Sequence, residues 1–285
     1  MKRIFTLCAA LCALSTGFAQ SDSTARPAAD TIRIGSMVII RSKNSKPTKD
    51  KDEHDGPRYR TRHDYDSRKR SNVTTNWWIL DLGFSNVNDK TIASSPAAQA
   101  FAGPAYAANP EWTKLKFIKS TNVNIWFFMQ RLNVIQHVVN LKYGLGLEMN
   151  NYQFDDPTVK FSRNPTRVTL DPALASARKN KLKADYLTVP MMINFNLTPD
   201  RRHKGFGFSA GISAGVLYAS RQKTKVDHDV NKLKDDFDLE TFKISYVGEL
   251  SLGPVRLYGS YAANNMWSKG LDQTPYTLGF RIASW

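Results

Sequence analysis

Runs in which every second residue is apolar, a leader built for export, and connections that alternate long and short predict the fold class of this 285-residue chain. It reads as all-β: an eight-stranded antiparallel up-and-down transmembrane β-barrel with a disordered N-terminal tail. The last alternating run, Tyr276–Trp285, reaches the final residue of the sequence, as expected of a strand that closes a ring by zipping against the first.

The leader comes first. Lys2 and Arg3 form a positive region, Ile4–Leu14 an apolar run, and Gly17-Phe18-Ala19 places small residues where a cut before Gln20 needs them. Residues 1–19 are therefore expected to be a signal peptide. The apolar run is shorter than the roughly 20 residues a helical span requires. Both cysteines, Cys8 and Cys12, lie in this leader, so the exported chain would carry no disulfide.

Residues 20–75 read as a basic, mostly disordered periplasmic segment. Between Arg41 and Arg70, Lys, Arg, Asp, Ser, Thr and Pro dominate, and such a stretch buries too little apolar surface to fold alone. One island departs from this. Thr31–Ile34 and Met37–Ile40 flank Gly35-Ser36, which predicts a short hairpin at 31–40.

The barrel is expected over 76–285. Strand one is Asn76–Asn86, with Trp78, Leu80, Leu82 and Phe84 on one face and Ile79, Asp81 and Gly83 on the other. Strand two is placed at 114–130, with Thr121, Val123, Ile125, Phe127 and Met129 opposite Asn122 and Asn124. Strand three is Asn140–Phe154, its Leu141, Tyr143, Leu145 and Leu147 opposite Lys142, Gly144, Gly146 and Glu148. Strand four, Asp185–Leu197, alternates Leu187, Val189, Met191 and Ile193 with Thr188, Pro190 and Met192. Strand five, Gly205–Ser220, sets Phe206, Phe208 and Ile212 against Gly207, Ser209 and Gly211. Strand six, Thr241–Leu252, sets Phe242, Ile244 and Tyr246 against Lys243, Ser245 and Glu249. Strand seven, Val255–Ala263, and strand eight, Tyr276–Trp285, follow the same rule, with Arg256 and Arg281 on their polar faces.

These lengths suit tilted membrane strands of about 9–11 residues. The second face is rich in Gly, Ser, Asn and charge, as the crowded lumen of a barrel of about eight strands requires. The long connections are 87–113, 155–182, 221–240 and 264–275; the short ones lie near 131–136, 198–204 and 253–254. Placing the N-terminus in the periplasm puts every long loop outside.

Chemistry-bearing residues are sparse. Asp81, Lys142, Glu148, Lys243, Glu249, Arg256 and Arg281 point to the lumen as a structural charge network, because buried charges must be paired. Trp77, Trp78, Trp112, Trp267 and Trp285 fall near strand ends and are candidate interfacial aromatics. The five histidines, His54, His63, His137, His203 and His228, fall in tail, turns or loops, and no nucleophile motif accompanies them. No catalytic residue, metal site or cofactor is expected. Asp227, Asp229, Asp235, Asp236 and Asp238 read as a solvated acidic loop in preference to a calcium site.

The chain carries +15 overall. Export argues against nucleic acid as the partner. Outer-membrane lipids and lipopolysaccharide are expected, with the barrel-assembly machinery during biogenesis and periplasmic or secretion-system proteins as candidate partners. Mean hydropathy is −0.42, which a barrel tolerates because only one face of each strand meets lipid.

Several stretches together resemble a known family. Trp77–Ser85, Tyr143–Phe154, Tyr186-Leu-Thr-Val-Pro190 and Tyr276–Arg281, preceded by Asp30–Ile34 and Val38–Ile40, are similar in order and spacing to the PorT-like outer-membrane β-barrel proteins of the Bacteroidota. The resemblance implies an eight-stranded barrel without catalysis, and one member of that wider family belongs to a protein-secretion machinery. Three roles stay open at this point: a structural or interaction role in the envelope, a component of a transport or secretion assembly, and a soluble periplasmic lipocalin-like binder. The last requires an apolar face turned inward.

Overall fold

The computed structural model describes residues 31–34, 37–40, 71–103, 110–163, 165–198 and 205–282. The leader, most of the basic segment and Trp285 lie outside the described residues. The chain divides into two compact units, 1–67 and 68–285. In the first, β1 (Thr31–Ile34) pairs antiparallel with β2 (Met37–Ile40), Thr31 opposite Ile40.

The second unit is a ring. In chain order its strands are β3 (Val73–Asp89), β4 (Thr121–Ile135), β5 (Val139–Gln153), β6 (Val159–Phe161), β7 (Val168–Leu170), β8 (Lys179–Asn196), β9 (Phe206–Val226), β10 (Asp229–Lys234), β11 (Phe242–Leu252), β12 (Val255–Ala262) and β13 (Gln273–Ile282). The order β3-β4-β5-β8-β9-β11-β12-β13 runs antiparallel throughout, and β13 pairs back onto β3, so eight strands close. Closure leaves no open edge in the membrane, where an unpaired backbone group has no water to bond. Among the described residues no helix is long and apolar enough to cross a membrane.

Boundaries differ from the periodicity where its signal fails. β3 starts at Val73, earlier than Asn76. β4 starts at Thr121, not at position 114, because Pro110–Thr113 and Phe117–Lys119 form short 3-10 turns. The connection expected over 221–240 is largely strand: β9 continues to Val226 and turns into β10.

A bulge corrects the expected faces. Trp78 adopts φ 55°, Trp78 and Phe127 are both skipped in the β3–β4 pairing, and against β5 the register of β4 slips by one residue between Trp126, opposite Gly146, and Phe128, opposite Leu145. Trp77 and Trp78 both face outward, 66% and 72% exposed, with rings 5.9 Å from Phe128 and 5.8 Å from Phe127. An inserted residue reverses every later side chain. Met129, expected beside Phe127, is therefore buried inward, while Trp126, before the insertion, keeps the inward parity of Asn122 and Asn124.

Below the outer loops the wall is apolar outside and polar inside. Leu187, Val189, Met191, Ile193, Leu278 and Phe280 are exposed, whereas Asn122, Asn124, Asn150, Ser213 and Thr277 are buried. This is the reverse of a lipocalin, so the binder with an inward apolar face is not this architecture. Higher up the polarity inverts. On β8 the outward positions change from Leu187 and Val189 to Lys179, Lys181 and Lys183, while the inward ones change from Thr188 to Leu182, Ala184 and Tyr186, all three buried.

Candidate functional site: a filled lumen under a packed cap

The lumen is crossed by a chain of charges. Arg281 sits directly opposite Asp81 in the β13–β3 register. Its Nε donates to Asp81 Oδ1 at 2.6 Å and its Nη2 to Oδ2 at 2.7 Å, the two-pronged geometry that suits guanidinium to carboxylate. Its Nη1 donates to Glu249 on β11, which also accepts from Lys142 Nζ on β5. The line Lys142–Glu249–Arg281–Asp81 thus links four strands. Trp126 Nε1 donates to Asp81 Oδ2 at 2.7 Å, and Asn124 Nδ2 donates to the same oxygen at 3.3 Å.

A second group lies beside it. Lys243 Nζ donates to Glu148, and Asn150 Nδ2 donates to Glu148 Oε1 at 3.1 Å. Asn122 Nδ2 reaches Asn150 Oδ1 and Asn124 Oδ1, each at 2.9 Å, which joins the two groups. Cations also rest on rings: Arg281 lies 5.6 Å from the Trp126 centroid and Lys243 5.0 Å from that of Tyr186.

Tyr258 completes the packing. It lies opposite Gly279, which lies opposite Gly83, which lies opposite Asn122. The ring crosses both glycines and its hydroxyl donates to Asn122 Oδ1. A Cβ on Gly83 would stand 2.6 Å from that hydroxyl, and one on Gly279 2.7 Å from the ring. Both glycines are small because the tyrosine occupies their side-chain space. A space of about 30 Å³ remains beside Trp126, Glu148, Glu249 and Arg281, room for about one water.

Above the lumen the outer connections share one apolar core. Helix α1 (Pro96–Ala102) starts with Pro96 after Ser95, whose Oγ accepts from Ala98 N at 3.3 Å, and it buries Ala98, Phe101 and Ala102. Phe161 lies 5.6 Å from Trp267, 5.7 Å from Phe154 and 5.5 Å from Phe237, and Phe101 lies 5.3 Å from Trp267. The small β6–β7 pair is held by Lys160 and Asp171 at 2.7 Å. That contact, helped by the Ala173 N–H, keeps the Asp171 carboxyl below the usual carboxylate range.

The lumen residues expected from sequence all face inward. Asp81, Lys142, Glu148, Lys243 and Arg281 are buried; Glu249 and Arg256 are half-buried by residue. The tryptophans divide. Trp77 and Trp78 are on the outer wall, but Trp112 and Trp267, each 4% exposed, are core residues of the cap and not interfacial aromatics. Trp285 lies outside the described residues. Tyr258 shares the polar parity of Arg256 and Ser260 and is buried as that parity requires, whereas Trp126 is the lumen residue that sequence reasoning misses. Trp126 follows the polar parity of Asn122 and Asn124, and that parity was the available signal.

Of the histidines within the described residues, His137 lies in the β4–β5 turn and His228 in the β9–β10 turn, at opposite ends of the ring. Among the described residues no three His, Cys, Asp or Glu side chains cluster as metal ligands. The arrangement can fill a tube and hold a rigid surface above it.

A family model described as "Outer membrane protein beta-barrel domain" matches residues 18–261. No curated protein matches. Among solved structures, the chain is similar to Ail, the attachment invasion locus protein of Yersinia pestis, in complex with the heparin analogue sucrose octasulfate. The identity is 8% and the TM-score 0.29, over 73% of this chain and 98% of that one. A second structure of Ail gives 8% identity and a TM-score of 0.28 over the same shares.

Proposed function

The chain belongs to the family of outer membrane protein beta-barrel domains, and on that footing we propose that it is a closed, non-conducting and non-enzymatic envelope protein that works through the surface its cap and outer wall present. The Lys142–Glu249–Arg281–Asp81 line carries this reading. Four strands contribute side chains that meet in mid-lumen, where a pore would need clearance. The packed cap adds a fixed platform on the outer side. Export with cleavage before Gln20 belongs to the same proposal, and the mature N-terminus read by mass spectrometry checks it. The central test is conductance of the purified protein in planar bilayers. A silent bilayer is expected; steady single-channel steps would sink the reading.

The second reading is a PorT-like component of a transport or protein-secretion assembly. The β1–β2 pair in the unit preceding the barrel and the resemblance in sequence favour it, because a paired strand outside the barrel offers an edge to a periplasmic partner. Deleting residues 20–70 in cells tests it: unchanged export of all other secreted proteins would remove it.

A further inference from the structure

We propose that the outward face of the β8–β9–β10 extension binds the phosphate groups of a multiply phosphorylated glycolipid in the outer leaflet. The strand register supplies the site. Lys181 pairs with Lys223, and Lys223 pairs on its other side with Lys232. One step toward the membrane, Lys183, Arg221 and Lys234 form the same kind of row. One step away, Lys179 pairs with Lys225. Paired residues share a face, so eight cations stand on one surface, about 5 Å apart across strands and about 7 Å apart along them. The acidic Asp229 takes the opposite parity on β10.

Such a surface is unfavourable by itself, because like charges directly opposite destabilise a sheet. Among the described residues only Lys183 of the eight is ion-paired, with Asp185 at 2.7 Å. Lys181 Nζ is turned to a backbone oxygen, that of Lys119, at 3.3 Å. Burial lowers the Lys181 pKa, and Lys179, Lys223 and Lys119 lower it further. Phosphate oxygens supply the missing counter-charge, and a spacing of 5–7 Å lets one phosphate accept from several ammonium groups.

Position selects the source of that phosphate. The grid continues the wall that carries Leu187 and Val189, on the same side of β8. Lys183 is four residues beyond Leu187, roughly 13 Å along the strand, which sets the first row at headgroup height beside the lipid that covers the wall. The inference rests on the outer-membrane barrel reading for its leaflet, and not on the closed lumen.

The test uses full-length protein in neutral detergent, with bisphosphorylated lipid A as probe and native mass spectrometry as readout. Dephosphorylated lipid A and a soluble sulfated polysaccharide are the comparison ligands. Bisphosphorylated lipid A should bind best, and the triple variant Lys181→Gln, Lys223→Gln, Lys232→Gln should bind it about a hundredfold more weakly, at about fivefold per cation. Retention of the heat-dependent gel shift shows that the variant is folded. If it is not, the wild type decides alone: its affinity for bisphosphorylated lipid A should fall steeply with salt and exceed that for the dephosphorylated form at least tenfold. Equal binding of the two lipids, an undiminished variant, or preference for the soluble polysaccharide would each overturn the proposal. A conducting barrel that still binds the lipid would sink the closed-lumen reading and leave this one standing.

Discussion

Arg281 and Asp81 lie 200 positions apart and share two hydrogen bonds, of 2.6 and 2.7 Å, across the seam where the last strand meets the first. Both groups are buried. Removing one partner strands the other charge, which costs about 3–5 kcal/mol. Asp81→Leu should therefore lower unfolding stability by about 3 kcal/mol, measured by urea titration of the gel-shift form. Adding Arg281→Leu should restore much of the loss, because Glu249 keeps Lys142. A double variant worse than Asp81→Leu alone would contradict this account of the seam.

The Tyr258 ring gives a second prediction. Gly83→Ala places a methyl group 2.4 Å from the Leu278 carbonyl oxygen and 2.6 Å from the Tyr258 hydroxyl. The backbone oxygen cannot move aside as a flexible side chain could. Overpacking of this kind costs about 1–3 kcal/mol. Tyr258→Phe, which keeps the ring and removes only the bond to Asn122, should cost less, about 1 kcal/mol. Reversal of that order in urea titrations would show that the hydroxyl matters more than the glycine space.

The cap should yield before the barrel. Phe161→Ala removes a ring that touches Trp267, Phe154 and Phe237. Truncating a buried Phe costs about 3–5 kcal/mol, charged here to the loops alone. Limited proteolysis should cut the outer connections much faster in this variant while the heat-dependent gel shift persists. Loss of the gel shift would mean that cap and ring are one cooperative unit.

The lysine grid predicts a pH dependence. The Lys181 pKa is lowered in the folded protein, by burial first and by its cationic neighbours second. Protonation then costs the folded state more than the unfolded one. The penalty is present at neutral pH and disappears as pH rises through the folded value toward the usual lysine range near ~10.4. Lipid-free protein should gain thermal stability over that alkaline rise, and Lys181→Gln should flatten the gain. A wild-type curve that falls across the same window would contradict the sign.

The ring itself is legible because a strand with lipid on one side and a packed lumen on the other must alternate, and each of the eight runs does so over most of its length. Inward Asp81, Glu148 and Arg281 followed from that parity. What escaped detection did so for physical reasons. The insertion at Trp77–Trp78 opposite Phe127–Phe128 breaks the period, so Met129 was assigned to the wrong face. Arg221, Lys223 and Lys225 lie on a strand whose faces are both partly polar, and hydrophobic alternation cannot mark such a strand. Trp112 and Trp267 stand near strand ends, where an interfacial ring and a core ring have the same sequence signature. The cap core draws on connections far apart in sequence, which no local pattern announces.

The inversion of polarity along β8 fixes how deep the protein rides. Below Asp185 the outward residues repel water; above it they repel lipid. Sliding outward would lift Leu187 and Val189 into solvent, and sinking would drag Lys183 and Lys181 into hydrocarbon. Each displacement is opposed by a different force, so β8 acts as a two-sided depth stop. The height of the cap above the hydrocarbon layer is thereby set by the barrel wall.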